Sequence, residues 1–296
     1  MSVRAGVVVT TYRRPDALEL VLRGYACQDT PAAEILVADD GSGDETGEVV
    51  DRVAEETGLP LVHVWHEDRG FRKTEVLNRA IRAAAAEYLI FTDGDCVPRR
   101  DFVATHLGLA RPGHFLSGGY VRLSRETTEA LTSGDVESGR AFEPGWLAAH
   151  GTPGLRNRLR LLRGRTLPGL LDRVTPTRAT WNGMGSSTWR QDLLRVNGFD
   201  LDLVYGGLDR ELGQRLENAG LKGVQIRHRA VVLHLWHERP YRDEETMRRQ
   251  RRHRGAIRVA GTVRAARGIQ ELDDGVNHRV RRHPGEAAEQ TGTEDI

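Results

Sequence analysis

The stretch YLIFTDGDCVP, residues 88–98, decides how this chain folds. An apolar run from Tyr88 to Phe91 leads without alternation into Asp93-Gly94-Asp95. Such a run predicts a strand buried on both faces, as in a parallel sheet covered by helices. The Asp-Gly-Asp triplet has two readings. Asp and Gly are turn residues, and the triplet can simply close the strand. Alternatively, if strand geometry persists, residues i and i+2 face the same side and the two carboxylates hold one cation. Gly94 would then let the backbone come close. Hard oxygen ligands of this kind suit Mn2+ or Mg2+, which keep positions open for substrate phosphates.

Working outward, AGVVVTTY (5–12) and EILVADDGS (34–42) read as two more buried strands, and LVHVWHE (61–67) is strand-like. Between them lie helical patterns: PDALELVLRGYACQ (15–28), started by Pro15 and Asp16, and ETGEVVDRVAEETG (45–58), closed by Gly58. KTEVLNRAIRAAAAE (73–87) is an Ala-rich third helix. Strict strand–helix alternation predicts an α/β fold with parallel strands joined by right-handed crossovers. Ligands of such sheets bind outside the carboxyl ends of the strands. Thr10, Asp40 and Asp93 each end a predicted strand, so they converge on one edge. That convergence favours the cation reading of the triplet over the turn reading.

The chain has 296 residues, 39% hydrophobic and 29% charged, with a net charge of +1, which argues against a generally basic nucleic-acid binder. Cys27 and Cys96 are its two cysteines, too few for a disulfide framework or a zinc cluster. No segment approaches the ~18 apolar residues of a membrane span. The expected location is therefore cytoplasmic. LRNRLRLLRGR (155–165) interleaves arginines with leucines. That stretch forms either the solvated face of a packed helix, the simpler reading, or a peripheral contact with an anionic membrane at its inner face. RRQRRHR (248–254) offers phosphate contacts but lacks interleaved aromatics, and a helix face is the better reading. HFLSGGYVRL (114–123) reads as one strand, whereas 124–180 has broken periodicity. From 282 onward no core-forming pattern remains, and a disordered tail is expected.

Two further segments carry chemistry. In YGGLDRELGQRL (205–216) Leu208, Leu212 and Leu216 share one helix face and Asp209 falls in the first turn. Asp209 either complements the helix dipole or serves as a carboxylate general base. In AVVLHLWHERPY (230–241) His234 and His237 would face opposite ways along a regular strand. One of them at most joins a metal site unless the strand ends between them, and His237 lies nearer the strand's expected end.

Taken in order, VVVTTYRRP, VADDGS, FTDGD, GFD…YGGLDRE and WHE resemble the family-2 inverting glycosyltransferases with the GT-A fold, over roughly residues 4–240. The second half most resembles the galactosyltransferase-like branch, including bacterial chondroitin-polymerase-type domains. The resemblance implies a Rossmann-like, mostly parallel central sheet with residues 1–115 binding the nucleotide sugar. It assigns 116–240 to the acceptor and catalysis, followed by a helical extension over 241–281 and the tail at 282–296. It implies that Thr10 and Tyr12 lie against the nucleotide and that Asp40 bonds uracil of a UDP-sugar. Asp93 and Asp95 match the D-x-D pair, with His237 completing the shell of Mn2+ or Mg2+, and Asp209 matches the catalytic base. Arg69, Arg72 and Lys73 fall where basic donor contacts are found. The family commonly has an acid just before the base where this chain has Leu208, which leaves the acceptor open among a glycan, a lipid-linked sugar and a small molecule. The rival readings are a nucleotidyltransferase using the same metal site, and a non-catalytic, Arg-rich surface binder.

Overall fold

The computed structural model describes residues 3–164, 166–203, 207–238 and 244–283. Its first part alternates as expected: β1 (Ala5–Thr11), α1 (Pro15–Ala26), β2 (Glu34–Asp39), α2 (Asp44–Thr57), β3 (Leu61–His66), α3 (Lys73–Ala83) and β4 (Tyr88–Asp93). Next come β5 (Cys96–Pro98), α4 (Phe102–Leu109), β6 (His114–Ser117) and β7 (Gly119–Arg122). Short helices then span the irregular middle: α5 (Arg125–Ala130), α6 (Ser133–Glu137), α7 (Pro144–Ala149), α8 (Leu155–Arg160) and α9 (Thr166–Val174). The last part holds β8 (Ser186–Trp189), α10 (Arg190–Arg195), α11 (Leu208–Asn218), β9 (Lys222–Gln225), β10 (Val231–His234), α12 (Glu244–Ala260) and β11 (His278–Arg282).

Eight strands form one sheet in the order β11-β3-β2-β1-β4-β8-β6-β9, and the core run β3-β2-β1-β4 is parallel. Its strands are buried on both faces. Val7, Val9, Ile35, Val37, Tyr88 and Ile90 join the core shared with α1 and α2. Their alternates Val8, Leu36, Ala38, Leu89 and Phe91 join the core shared with α3 and α11. This is why the runs carry no polar alternation. A second sheet, β5-β10-β7, stands beside the first.

Several sequence expectations are corrected. HFLSGGYVRL is two strands, not one: β6 lies in the large sheet and β7 in the small one, with the switch at Gly118 and Gly119. A Cβ on Gly119 would stand 2.1 Å from the Arg227 carbonyl oxygen, so only glycine fits. The line expected at 115/116 between two halves of one domain falls inside β6. The 241–281 extension is helical in α12, but it ends in β11, which pairs antiparallel with β3. Strand β11 includes Arg282, and the His283 amide donates to the Leu61 carbonyl, so ordered structure enters the segment expected as tail. Residues 284–296 lie outside the described residues, as do residues 204–206 of the GFD…YGGLDRE segment. Among the described residues no helix is long and apolar enough to cross a membrane.

Candidate active site

The carboxyl ends of β1, β2 and β4 meet the first turns of α3 and α11, and the charged residues gather there. Strand β4 stops at Asp93, so Asp93 and Asp95 do not share a strand face, contrary to the alternation argument. The chain turns at Gly94, whose amide donates to the Thr10 carbonyl at 2.6 Å and whose missing Cβ would lie 2.8 Å from that oxygen. The glycine therefore lets the turn pack on β1. The turn carries the chain into the small sheet, where Cys96 pairs with His234 and the Asp95 carbonyl accepts from the Leu235 amide. Asp93 and Asp95 thus meet through a tight turn between two sheets.

That register also delivers both histidines. Strand β10 ends at His234, so the chain is no longer extended at His237, and the two imidazoles stack with centroids 5.4 Å apart. Ligand atoms of Asp95, His234 and His237 all lie within 4.8 Å of one another. His237 Nε2 stands 3.4 Å from Asp95 Oδ2. Each ring turns Nδ1 to a backbone carbonyl, Leu235 for His234 and Glu238 for His237, at 2.9 and 2.8 Å. With Nδ1–H donating, Nε2 carries the lone pair, the tautomer a metal-ligating histidine uses. Two such nitrogens and a carboxylate suit a divalent cation, and this donor mix suits Mn2+ better than Mg2+. His234 is the member that sequence reasoning set aside; the strand's end after it was the missing signal. Cys96 lies close to Asp93 and Asp95, but burial and the two carboxylates push its thiol well up, so it stays protonated.

Asp93 is held on its other side. Lys73 Nζ stands 2.6 Å from Asp93 Oδ1, and Thr10 Oγ1 donates to the same oxygen at 2.8 Å. Burial alone would raise Asp93, but the Lys73 charge and these hydrogen bonds outweigh it and hold the carboxyl below its usual range. Burial would lower Lys73, but Asp93, Asp209 and Asp95 reverse this and hold it protonated. Thr10 therefore orients Asp93 directly, a contact not foreseen from its strand-end position.

Asp209 sits in the first turn of α11, as expected, with Leu208, Leu212 and Leu216 buried beneath it. It accepts a hydrogen bond from the Gly183 amide, and a Cβ on Gly183 would lie 3.3 Å from each carboxylate oxygen. Burial, and secondarily the Asp93 charge, push Asp209 up to about 6 against the opposing pull of Lys73. A carboxylate poised there can accept a proton near neutral pH.

The residues expected to face the nucleotide form the rim. Asp40 is buried, with Oδ1 2.8 Å from His66 Nε2 and Oδ2 accepting from the Arg72 amide at 3.1 Å. Burial raises its pKa despite these bonds. Tyr12, exposed at 44%, donates its hydroxyl to Asp68 at 3.1 Å, and Arg13 lies over its ring. Gly41, at φ +90, brings this rim together, because a Cβ there would strike the Asp68 backbone at 2.6 Å. Arg69 pairs with Glu75 at 3.3 Å at the edge of the site rather than reaching its floor.

The chain as a whole resembles known proteins. The glycosyl transferase family 2 model matches residues 6–147. Residues 6–147 are a glycosyl transferase family 2 domain. The chain carrying this domain is 32% identical over 244 residues to validoxylamine A glucosyltransferase of Streptomyces hygroscopicus subsp. jinggangensis, covering 79% of this chain and 56% of that protein. It is 25% identical over 268 residues to chondroitin synthase of Escherichia coli, covering 82% of this chain and 36% of that protein. The chain thus spans about half or less of the length of these relatives. Among solved structures, the mannosyltransferase PcManGT from Pyrobaculum calidifontis, in complex with GDP-Man and Mn2+, superposes with a TM-score of 0.54. That match is 23% identical and covers 91% of this chain and 68% of that one. S. aureus TarS superposes with a TM-score of 0.58 at 14% identity, over 92% of this chain and 42% of that one. These likenesses bear out the GT-A arrangement expected for the family-2 domain.

Proposed function

We propose that the chain transfers a sugar, with inversion, from a UDP-sugar to an acceptor hydroxyl, with Asp209 as general base. The observation that carries this is the placement of a partly desolvated carboxylate, raised to about 6, beside the Lys73–Asp93 pair. Asp95, His234 and His237 would hold a divalent cation. When bound, that ion supplies positive charge where the nucleoside diphosphate leaves. Lys73 adds a fixed cation at the same place and keeps Asp93 ionised. Asp40 and Tyr12 frame the end of the site for the base and ribose, and Arg69 borders it. Asp209 takes the proton from the acceptor hydroxyl as its oxygen bonds to the anomeric carbon. The bond from that carbon to the diphosphate oxygen breaks, and the diphosphate leaves with the electron pair. A single displacement from the opposite face inverts the configuration.

The relatives, a validoxylamine A glucosyltransferase and a chondroitin synthase, support both small-molecule and glycan acceptors, and the GDP-Man bound to PcManGT makes GDP the rival nucleotide. Calorimetry with UDP, GDP and ADP, with and without Mn2+, on wild type and Asp95→Ala tests the reading. Metal-dependent UDP binding that is lost in Asp95→Ala is expected. GDP binding in its place would change the donor, and no nucleotide binding would overturn the donor site. Release of pyrophosphate rather than a nucleoside diphosphate would favour nucleotidyl transfer instead. Exposed Leu155, Leu167, Leu170 and Val174, with Arg158 of α8 also exposed, support a peripheral membrane contact. Co-sedimentation with anionic but not neutral vesicles is the expected result.

A further inference from the structure

A cavity of about 710 Å³ opens along α11, lined there by Arg210, Gly213, Gln214 and Glu217. Asn182, Met184 and Arg210 line it, and these flank Gly183 and Asp209 in the chain. Eight arginines face the cavity, and Glu217 is the single acid among its described lining residues. Two of the arginines come from α8 (Arg156, Arg160), three from α12 (Arg254 among them), one is Arg210 at the start of α11, and two are Arg178 and Arg227. Glu217 is already taken by Arg178. Arg251 and Arg254 of the arginine run at 248–254, with Arg258 one turn on, therefore line this cavity.

Arg227 is the informative member. It is 8% exposed, and its Nε and Nη2 are buried without a hydrogen-bond partner among the described residues. Those two N–H groups form one edge of the guanidinium and can grip an oxyanion with two parallel bonds. The nearby carboxylate of Asp172 is engaged by His228 at 3.0 Å and Arg229 at 2.7 Å. Burial lowers Arg160, Arg227 and Arg254, and neighbouring arginines lower each of them further. Leaving a buried donor edge unpaired costs stability, and packing like charges around it adds to that cost. A ligand anion removes both costs.

We propose that this cavity seats the phosphoryl group of a phosphorylated acceptor, on Arg227 and the facing arginines, while the acceptor's free hydroxyl reaches Asp209. The inference deepens the glycosyl-transfer reading and rests on it for the role of the hydroxyl; the phosphate seat itself stands on the cavity alone. The charge count favours a dianion over a single carboxylate, because seven arginines remain after Arg178 is paired with Glu217.

The probes are inorganic phosphate, glucose 6-phosphate, glucose and glucuronate, titrated calorimetrically into wild type, Asp95→Ala, Arg227→Gln and Arg254→Gln. Sedimentation with vesicles carrying phosphatidic acid adds a membrane-borne phosphate. Phosphate and glucose 6-phosphate should bind wild type and Asp95→Ala alike, and glucose should not. Binding should weaken at least about tenfold in Arg227→Gln and measurably in Arg254→Gln, which guards against a folding defect at the buried site. Because Asp95→Ala removes nucleotide binding but not phosphate binding, failure of the donor reading and failure of this one are separable. Binding of the soluble probes assigns a soluble acceptor. Binding to vesicles alone, when lost in Arg227→Gln, assigns a membrane-borne one. Glucuronate binding as tightly as glucose 6-phosphate, or phosphate binding that ignores both arginine substitutions, would overturn the proposal.

Discussion

Asp209 is held at a cost, and that cost has a sign. Its folded pKa, raised to about 6 by burial, exceeds the ordinary value of 3.8. Between those values the folded state binds more protons than the unfolded one, so stability falls as pH rises from about 4 to about 6. Above pH 6 the penalty is fully present. Metal-free Asp209→Asn should therefore be more stable than wild type at pH 7, on the order of 1–3 kcal/mol, and no more stable at pH 4. Thermal melts at the two pH values check this. The same substitution should lower turnover by ~10²–10⁴ while nucleotide affinity is kept. In wild type, turnover should rise with pH through about 6 as the base deprotonates, and a pH-independent rate would remove Asp209 from the role. At this scale the sequence was informative about Asp209, whose helix start showed in the leucine spacing. It was misleading about His234, because strand alternation applies only while the strand lasts.

The elements that build the site are joined by close approaches that tolerate no side chain. Gly119 lies against the Arg227 backbone where the chain passes from the large sheet to the small one. Gly119→Ala should destabilise by ~2–4 kcal/mol, read by urea denaturation, since backbone must move to accept the methyl group. Helix α11 is anchored differently. Arg215 is wholly buried, pairs with Glu211 at 2.6 Å, and donates to the carbonyls of Val196 and Gly198. Arg215→Ala should cost ~3–5 kcal/mol, because Glu211 is left buried and unpaired, and adding Glu211→Gln should recover part of it. A loss under ~1 kcal/mol would show that water reaches the pair. The i,i+4 spacing of Glu211 and Arg215 in LDRELGQRL allows this pair but does not show that it is buried. Periodicity marks the apolar face but not which charges turn inward.

Across the whole molecule, the large sheet needs its edge covered. Strand β11 lies on β3, with Arg279 over the Trp65 ring at 4.4 Å, and its charged residues blunt the outer edge. A chain ending at Gly275 should expose β3 and aggregate, visible as concentration-dependent light scattering. Unchanged behaviour would mean that β3 tolerates exposure. Arg156 and Arg160 of α8 and Arg251, Arg254 and Arg258 of α12 come together around one cavity only in the folded molecule. The amino-acid sequence by itself determined the parallel α/β core, the strand-end carboxylates and the helix bearing Asp209. Apolar runs, caps and helical spacing act over a few residues and leave a local trace. Only the tertiary structure decided that Asp95 meets both His234 and His237, that Lys73 neutralises Asp93, and that Nε and Nη2 of Arg227 end buried without a partner among the described residues. Each depends on the register of the small sheet against the large one, which packing between distant segments sets.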